Sequence, residues 1–215
     1  MKKNSPKKKV VVFDFDGTIV DSMDSFADIA AEVMPSQYGI DKETARRMYL
    51  ETSGIPFFEQ LEQLFPNHRS NEAVAKNFED KKKLDYITKK PFEDAKAAID
   101  SLNNLGLKTV VSSNNFQDLV DLLAGSLDID FDMVLGFKPG FAKGNEHFKH
   151  IKNAFGVKRD EMLFVGDSIK DGERAEGFGI DFVGREGIFS EEDFLAKFPE
   201  ADVISDLGQI RKIID

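Results

Sequence analysis

One short stretch limits what this 215-residue chain can fold into more than any other. The apolar residues 10–13 are rich in β-branched side chains and run directly into Asp14-Phe15-Asp16-Gly17. An apolar run of this length that is followed by a turn signal is typical of a buried strand. Because Gly17 lets the chain turn, both carboxylates can face one cavity at the end of the strand. Such a pair is costly unless a cation or a shared proton offsets the repulsion, so the stretch predicts either an acidic turn or a charged functional site.

The rest of the chain alternates between strand and helix patterns, apart from one long helical stretch. Strands are predicted at 108–113, 131–135, 162–165, 181–183 and 201–204, and helices at 91–105, 116–127, 145–155, 174–178 and 207–213. Alternation of this kind implies right-handed βαβ units and a doubly wound parallel α/β sheet. Residues 22–89 instead contain four helical patterns in succession, at 22–34, 41–52, 55–65 and 70–87. We therefore expect a core formed by residues 1–21 and 90–215, with a small all-helical insert at 22–89.

Composition narrows the classes of partner and chemistry. A formal net charge of −10 disfavours nucleic acid or an anionic membrane as the main partner. The chain has no Cys, which excludes disulfides, thiolate catalysis and Cys-based zinc sites. The Lys-rich start, residues 1–9, lacks the apolar segment of a secretory leader, and we expect a solvated tail there rather than a nucleic-acid-binding arm. These features favour a cytoplasmic, monomeric protein.

The acidic stretch is more specific when it is taken at full length. The string Asp14-Phe15-Asp16-Gly17-Thr18-Ile19-Val20-Asp21 resembles the first motif of the haloacid dehalogenase superfamily, Asp-x-Asp-Gly-Thr-(Leu/Ile/Val)-x-Asp. Three later stretches resemble the other motifs in the family's order: Ser112-Ser113-Asn114, Lys143, and Gly166-Asp167-Ser168-Ile169-Lys170-Asp171. The helical insert resembles the C1 cap of phosphoglycolate phosphatase-like and β-phosphoglucomutase-like members. The resemblance implies a Rossmann-like core with this cap.

The resemblance also implies a reaction and a set of residues. It implies a Mg²⁺-dependent phosphatase that hydrolyses a small phosphorylated metabolite through an aspartyl-phosphate. Asp14 is then the nucleophile and Asp16 the general acid/base. The metal is held by Asp14, the backbone carbonyl of Asp16 and Asp167, with Asp171 behind them or bound through water. Lys143 neutralises the phosphate and the nucleophile.

Two assignments leave an alternative open. Alignment of the strand end puts the phosphate-binding hydroxyl on Ser112 with the Ser113 amide beside it, and Ser113 is the close alternative. Lys143 is preferred over Lys138 because it opens the helix that leads into the fourth motif. Thr52-Ser53-Gly54, between two helices of the insert, is a candidate for a loop that faces the substrate.

A phosphatase has to be compared with other functions that the same scaffold can carry. A phosphomutase of the β-phosphoglucomutase kind uses the same residues as a phosphatase, and phosphate release distinguishes the two. A non-catalytic binding or regulatory protein on the same scaffold is disfavoured by the intact acids. Dehalogenases of the superfamily lack the second acid of the first motif, so Asp16 favours phosphoryl chemistry.

Overall fold

The computed structural model describes residues 7–214, which form a parallel sheet with helices on both faces. Its strands are β1 (Val10–Phe13), β2 (Lys108–Phe116), β3 (Met133–Phe137), β4 (Met162–Gly166), β5 (Asp181–Arg185) and β6 (Asp202–Ile204). The strand order is β3-β2-β1-β4-β5-β6, and every neighbouring pair is parallel. This confirms the predicted doubly wound α/β fold. The order reverses where β1 meets β4, and crevices at such a reversal are where open α/β sheets bind ligands.

Side-chain alternation along β1 divides the core into two layers. Val11 and Phe13 face one side of the sheet, and Val10 and Val12 face the other. The first side is covered by α6 (Ala95–Asn104), α7 (Gln117–Ser126) and α11 (Ile210–Ile214), and the second by α8 (Asn145–Phe155) and α9 (Ile169–Phe178), with α10 (Glu191–Lys197) near β6. Because β1 is buried on both faces, its carboxyl end is held rigidly.

The stretch after β1 is helical, as the sequence predicts. It contains α1 (Met23–Val33), α2 (Pro35–Tyr38), α3 (Lys42–Glu51), α4 (Phe57–Leu64) and α5 (Asn71–Tyr86). The aromatic rings of Tyr49, Phe57 and Phe78 pack together, with centroid distances of 4.0 to 5.7 Å. The two chain connections to the core run side by side, since the amide of Asp21 donates to the Lys90 carbonyl at 3.0 Å.

Element boundaries differ from the prediction where local caps decide them. The helix predicted at 22–34 ends at Val33, and Pro35 then opens a further short helix, α2, because proline is well tolerated at the first helical position. The helix predicted at 174–178 begins earlier, at Ile169, because the Ser168 side chain accepts a hydrogen bond from the Asp171 amide. The helix predicted from 91 begins at Ala95, and β2 continues beyond Ser113.

The prediction that residues 1–9 form a solvated tail is wrong for Lys8. This side chain is only 9% exposed, its ammonium donates to the Asp160 carbonyl at 2.8 Å, and it forms an ion pair with Asp181. Lys9 pairs with Glu161 at 2.6 Å. Lys7 is exposed, as expected for the tail, and residues 1–6 lie outside the described residues. In the part of the chain that the structure describes, no helix has the length and apolar character needed to cross a membrane.

Candidate active site

Three buried carboxylates meet at the reversal point of the sheet. Asp14 ends β1, Asp167 and Asp171 follow β4, and each offers an oxygen within 4.8 Å of the other two. Phe13 and Val165 are paired in the register of β1 and β4, which brings the two strand ends side by side. Gly17 makes the close approach possible, because a Cβ atom there would lie 2.1 Å from Asp167 Oδ2.

Lys143 lies within this cluster. Its ammonium is 2.8 Å from Asp14 Oδ1 and 2.6 Å from Asp171 Oδ1, and its side chain is 2% exposed. Lys143 stands just before α8, whereas Lys138 is an exposed loop residue. Of the two lysines that the sequence left open, the structure therefore brings Lys143 to the carboxylates.

The cluster holds more negative charge than its lysine balances. Burial raises the pKa of Asp14 well above its usual value, against the opposing charge of Lys143. Burial and the charge of Asp171 raise the pKa of Asp167 to about 7. For Asp171 burial acts in the same direction, but Lys143 and Arg174 outweigh it and leave its pKa below the usual value. Asp14, Asp167 and Asp171 are therefore a group of oxygen donors that could hold a hard cation, which would stabilise the ionised carboxylates.

Asp16 faces a different set of partners. It accepts hydrogen bonds from Ser22 Oγ at 2.8 Å, Asn115 Nδ2 at 2.6 Å and Tyr86 Oη at 3.3 Å. Burial raises the pKa of Asp16, and the Ser22 hydrogen bond and the charge of Lys82 reduce that rise. Two carboxylates only two positions apart therefore have separate environments, which can hold their pKa values apart.

The two serines of the second motif face opposite ways. Ser112 is completely buried and shares a 2.8 Å hydrogen bond with His147 Nδ1 on α8. Burial lowers the pKa of His147 to about 4, so this partner is a neutral imidazole at neutral pH. Ser113 points toward Asp16, with its hydroxyl 3.5 Å from the carboxylate. The geometry thus favours Ser113, the alternative, over Ser112 as the hydroxyl available to a ligand.

A cavity of about 430 Å³ lies between the carboxylates and the insert. The core contributes Asp14, Asp16, Ser113, Asn114, Asn115, Lys143 and Asp167 to its lining. The insert contributes five aromatic rings and four charged side chains, of which only that of Lys82 is buried: Phe26, Tyr49, Phe57, Phe58, Phe78, Glu59, Lys76, Glu79 and Lys82. The cavity therefore has buried carboxylates on the core side, and aromatic rings with one buried cation on the insert side.

The loop before α4 forms non-covalent contacts between the insert and the core. The Gly54 carbonyl accepts hydrogen bonds from Arg174 Nη2 at 2.8 Å and from Asn114 Nδ2 at 3.3 Å. A Cβ atom on Gly54 would lie 2.5 Å from Ser168 Oγ, and its φ of +92° favours glycine. The candidate loop at 52–54 thus packs tightly on the fourth motif, and Gly54 lines the cavity.

Several site residues were not identified from the sequence. They are Ser22, Lys82, Tyr86, Asn115 and Arg174. Asn115 follows the second motif directly and was within reach of sequence reasoning. The others reach the site through the packing of α1, α5 and α9, which sequence spacing does not specify. Thr18 lies inside the first motif, and its hydroxyl donates to Asp167 at 3.3 Å.

The comparisons with known proteins agree with the geometry. The family model for haloacid dehalogenase-like hydrolases matches residues 11–185. The chain is 27% identical over 188 residues to a phosphoglycolate phosphatase from Neisseria gonorrhoeae, covering 82% of this chain and 79% of that protein. It is 23% identical over 214 residues to the pyrophosphatase PpaX of Halalkalibacterium halodurans, covering 95% of each.

A solved structure supports the same fold. The haloacid dehalogenase-like family hydrolase from Streptococcus pneumoniae superposes with a TM-score of 0.81 at 16% identity, covering 97% of this chain and 99% of that one. The family match spans β1 to β5 and includes every stretch that resembles a motif. The chain therefore belongs to the haloacid dehalogenase-like hydrolase family.

Proposed function

We propose that this protein is a Mg²⁺-dependent phosphatase that hydrolyses a small phosphorylated metabolite through an aspartyl-phosphate on Asp14. The observation that carries the proposal is the separation of two carboxylates in one cavity. Asp14 lies with Lys143 and Asp167, while Asp16 is held apart by Ser22, Tyr86 and Asn115. The relatives named phosphoglycolate phosphatase and pyrophosphatase act on phosphoryl groups by their names, which supports the same reaction class.

The carboxylate cluster fits Mg²⁺ by the chemistry of its donors. We assign Asp14, Asp167 and the backbone carbonyl of Asp16 as ligands, since Mg²⁺ prefers oxygen donors. Asp171 lies behind them, because its oxygens already accept from Lys143 at 2.6 Å and from Ser168 Oγ at 2.8 Å. When bound, the ion offsets the negative charge of the nucleophile and of the phosphoryl group.

The side chains then divide the reaction into two steps. Asp14 attacks phosphorus, the bond to the ester oxygen breaks, and Asp16 gives its proton to the departing alkoxide. In the second step Asp16 takes a proton from water, which attacks the phosphorus of the acyl phosphate and releases Asp14 and phosphate. The raised pKa of Asp16 suits an acid that must hold a proton near neutral pH. Ser113 and Lys143 bind the phosphoryl oxygens throughout.

The position of the insert supports a small substrate. Residues 22–89 act as a cap in this proposal, because α1, α3, α4 and α5 line the cavity opposite Asp14. A cavity of about 430 Å³ holds a metabolite rather than a phosphoprotein segment or a nucleic acid. All the proposed residues come from one chain, so a monomer suffices for the reaction.

The test separates the two acids. Asp14→Asn removes the nucleophile while it keeps the size of the side chain, so no phosphoenzyme should form. Asp16→Asn keeps the nucleophile, and with a good leaving group such as p-nitrophenolate the first step still proceeds. Hydrolysis then lacks its base and slows by about 10²–10⁴-fold. Rapid quench should find a labelled, hydroxylamine-sensitive acyl phosphate on Asp14 in the Asp16→Asn protein alone.

Asp118→Asn is the matched control, since Asp118 is exposed on α7 and should leave turnover unchanged. Label on Ser113 or on a histidine would contradict the proposed mechanism. Isomerisation of a sugar phosphate without release of phosphate would instead identify a phosphomutase.

A further inference from the structure

We propose that Lys82 binds a second anionic group of the substrate, at the side of the cavity opposite Asp14. The substrate would then be a small phosphate ester that also carries a carboxylate or a second phosphate. This inference rests on the proposed phosphatase function and names the substrate class for the same cavity. The observations that carry it concern the burial, the partners and the position of Lys82.

Lys82 is buried in an aromatic environment. Its side chain is 10% exposed, and its ammonium lies 5.5 Å from the ring centroid of Phe26 and 5.4 Å from that of Phe78. Removing an ammonium from water is costly, and an apolar side chain would fill the same space without that cost. The insert could thus pack at this position without a charge, which indicates that the charge acts on the cavity, where it already reduces the rise in the pKa of Asp16 and is available to a ligand.

The ammonium of Lys82 is only partly satisfied by the protein. Among the described residues, its hydrogen-bonding partner is Glu79, one turn earlier on α5, at 3.0 Å. A lysine ammonium has three donors, so donors remain for a ligand. Glu79 itself is 29% exposed and also lines the cavity, where water partly solvates its charge.

The position of Lys82 distinguishes it from the other lysines of the cavity. Lys143 is already shared between Asp14 and Asp171 on the core side. Lys76 lines the cavity as well, but its side chain is 77% exposed and pairs with Asp80 at 2.5 Å, as a solvated surface lysine does. Among the described residues, Lys82 is therefore the buried cation that the insert presents to the cavity.

The two sides of the cavity then require different groups of the same substrate. The phosphoryl group belongs beside Asp14 and Lys143, where it is attacked. A substrate with no other charge would leave the donors of Lys82 that Glu79 does not satisfy against its apolar part. A second anion removes this mismatch, and the rings of Phe26, Phe57 and Phe78 enclose a compact carbon skeleton between the two anions.

The experiment compares matched substrates rather than a single rate. One series consists of phosphorylated ω-hydroxy carboxylates of increasing chain length, and a second series carries the corresponding primary amides. A third series ends in a second phosphate and identifies which anion is preferred. The wild-type protein should prefer one anionic series over the amides at one chain length. Lys82→Met should reduce that preference in kcat/KM by about 10- to 100-fold, the range for loss of a charge-assisted hydrogen bond.

Two further variants control for folding and for position. Lys82→Arg keeps the charge and should keep the preference for anions. Lys83→Met makes the same chemical change one residue along α5, where the side chain is exposed and outside the cavity lining, and should have no effect on the preference. If Lys82→Met still hydrolyses the amides, its active site is folded and the change in preference can be interpreted. If Lys82→Met has lost amide turnover as well, Lys82→Arg decides: a full preference for anions supports the proposal, and loss of that preference overturns it.

The outcomes distinguish this inference from the proposed function. If wild-type protein hydrolyses the esters and Lys82→Met leaves the ratio of anion to amide unchanged, the inference is wrong and the phosphatase function stands. If wild-type protein releases phosphate from no ester, amides included, both are overturned.

Discussion

The core side and the insert side of the cavity are built in different ways. On the core side, Lys143 links Asp14 and Asp171, and each charge touches another charge. On the insert side, one buried cation, Lys82, lies among aromatic rings. The first arrangement fixes the atoms that we propose react, whatever the rest of the substrate is. The second offers shape and a buried cation paired with Glu79, which suits discrimination between substrates.

The difference also appears in how the two sides are held. The core residues extend from the ends of β1 and β4, which are buried and paired in register. The insert is attached through the two connections near Asp21 and Lys90 and contacts the fourth motif through Gly54. Changes in the core should therefore affect the chemical step, and changes in the insert should affect substrate choice and alignment.

The largest effect in this comparison is expected within β2. Ser113→Ala removes the hydroxyl that we place on the phosphoryl group, and activity should fall about 10²-fold, as on loss of a donor to developing negative charge. Ser112→Ala should change kcat little but lower stability by about 1–3 kcal/mol, because it leaves His147 Nδ1 buried without its partner. Steady-state kinetics and denaturant unfolding of both variants measure the two effects.

These adjacent variants form their own control, since each makes the same chemical change. Loss of activity in Ser112→Ala with full activity in Ser113→Ala would mean that the strand end is used in the opposite way. That result would support Ser112 as the phosphate-binding hydroxyl, which is the assignment that alignment of the strand end favours.

An intermediate effect is expected where the insert meets the core. Gly54→Ala would place a Cβ atom 2.5 Å from Ser168 Oγ and 3.0 Å from the Lys170 Cβ, so the loop must move away from the fourth motif. Misalignment of this kind should lower kcat/KM by about tenfold or more. The same assay on a small phosphate ester measures it.

Gly39→Ala separates this clash from backbone strain. Gly39 also lies in the insert with a positive φ, of +69°, but no neighbouring atom lies within 4 Å of its Cβ position. This variant should lose about 1 kcal/mol of stability and keep its activity. Equal losses of activity in both variants would show that packing between loop and core does not align the substrate.

The same division explains how much the sequence alone could predict. The strand β1 with its two acids is one contiguous stretch of chain and the fourth motif is another, so the fold and the proposed reacting residues follow from local patterns. Ser112 and Ser113 were harder to separate, because the register of β2 with β3 shifts between Ser112 and Phe116, so simple alternation ends there. Lys82 and Arg174 reach the site only through the packing of whole helices, for which a single sequence holds no spacing rule.

The smallest effect concerns the core side of the cavity alone, through the charge balance of its carboxylates. Asp167 has a pKa of about 7 in the folded protein, against an ordinary value of 3.8 for an unfolded chain. Between these values the folded state retains a proton that the unfolded state releases, so folding becomes less favourable as the pH rises. Burial shifts the pKa of Asp14 in the same direction. Metal-free protein should therefore melt about 2–5 °C lower at pH 8 than at pH 6.

Mg²⁺ should reverse this trend, because a bound cation favours the ionised carboxylates and protons compete with it at lower pH. The melting temperature should rise more on addition of Mg²⁺ at pH 8 than at pH 6, as scanning calorimetry measures. Asp167→Asn removes one of the two titrating groups and should weaken both dependences, whereas Lys83→Met, exposed on the insert, should leave them in place. A shift with Mg²⁺ of equal size at both pH values would mean that the core carboxylates are already ionised without metal, and that the charge imbalance inferred for the core is wrong.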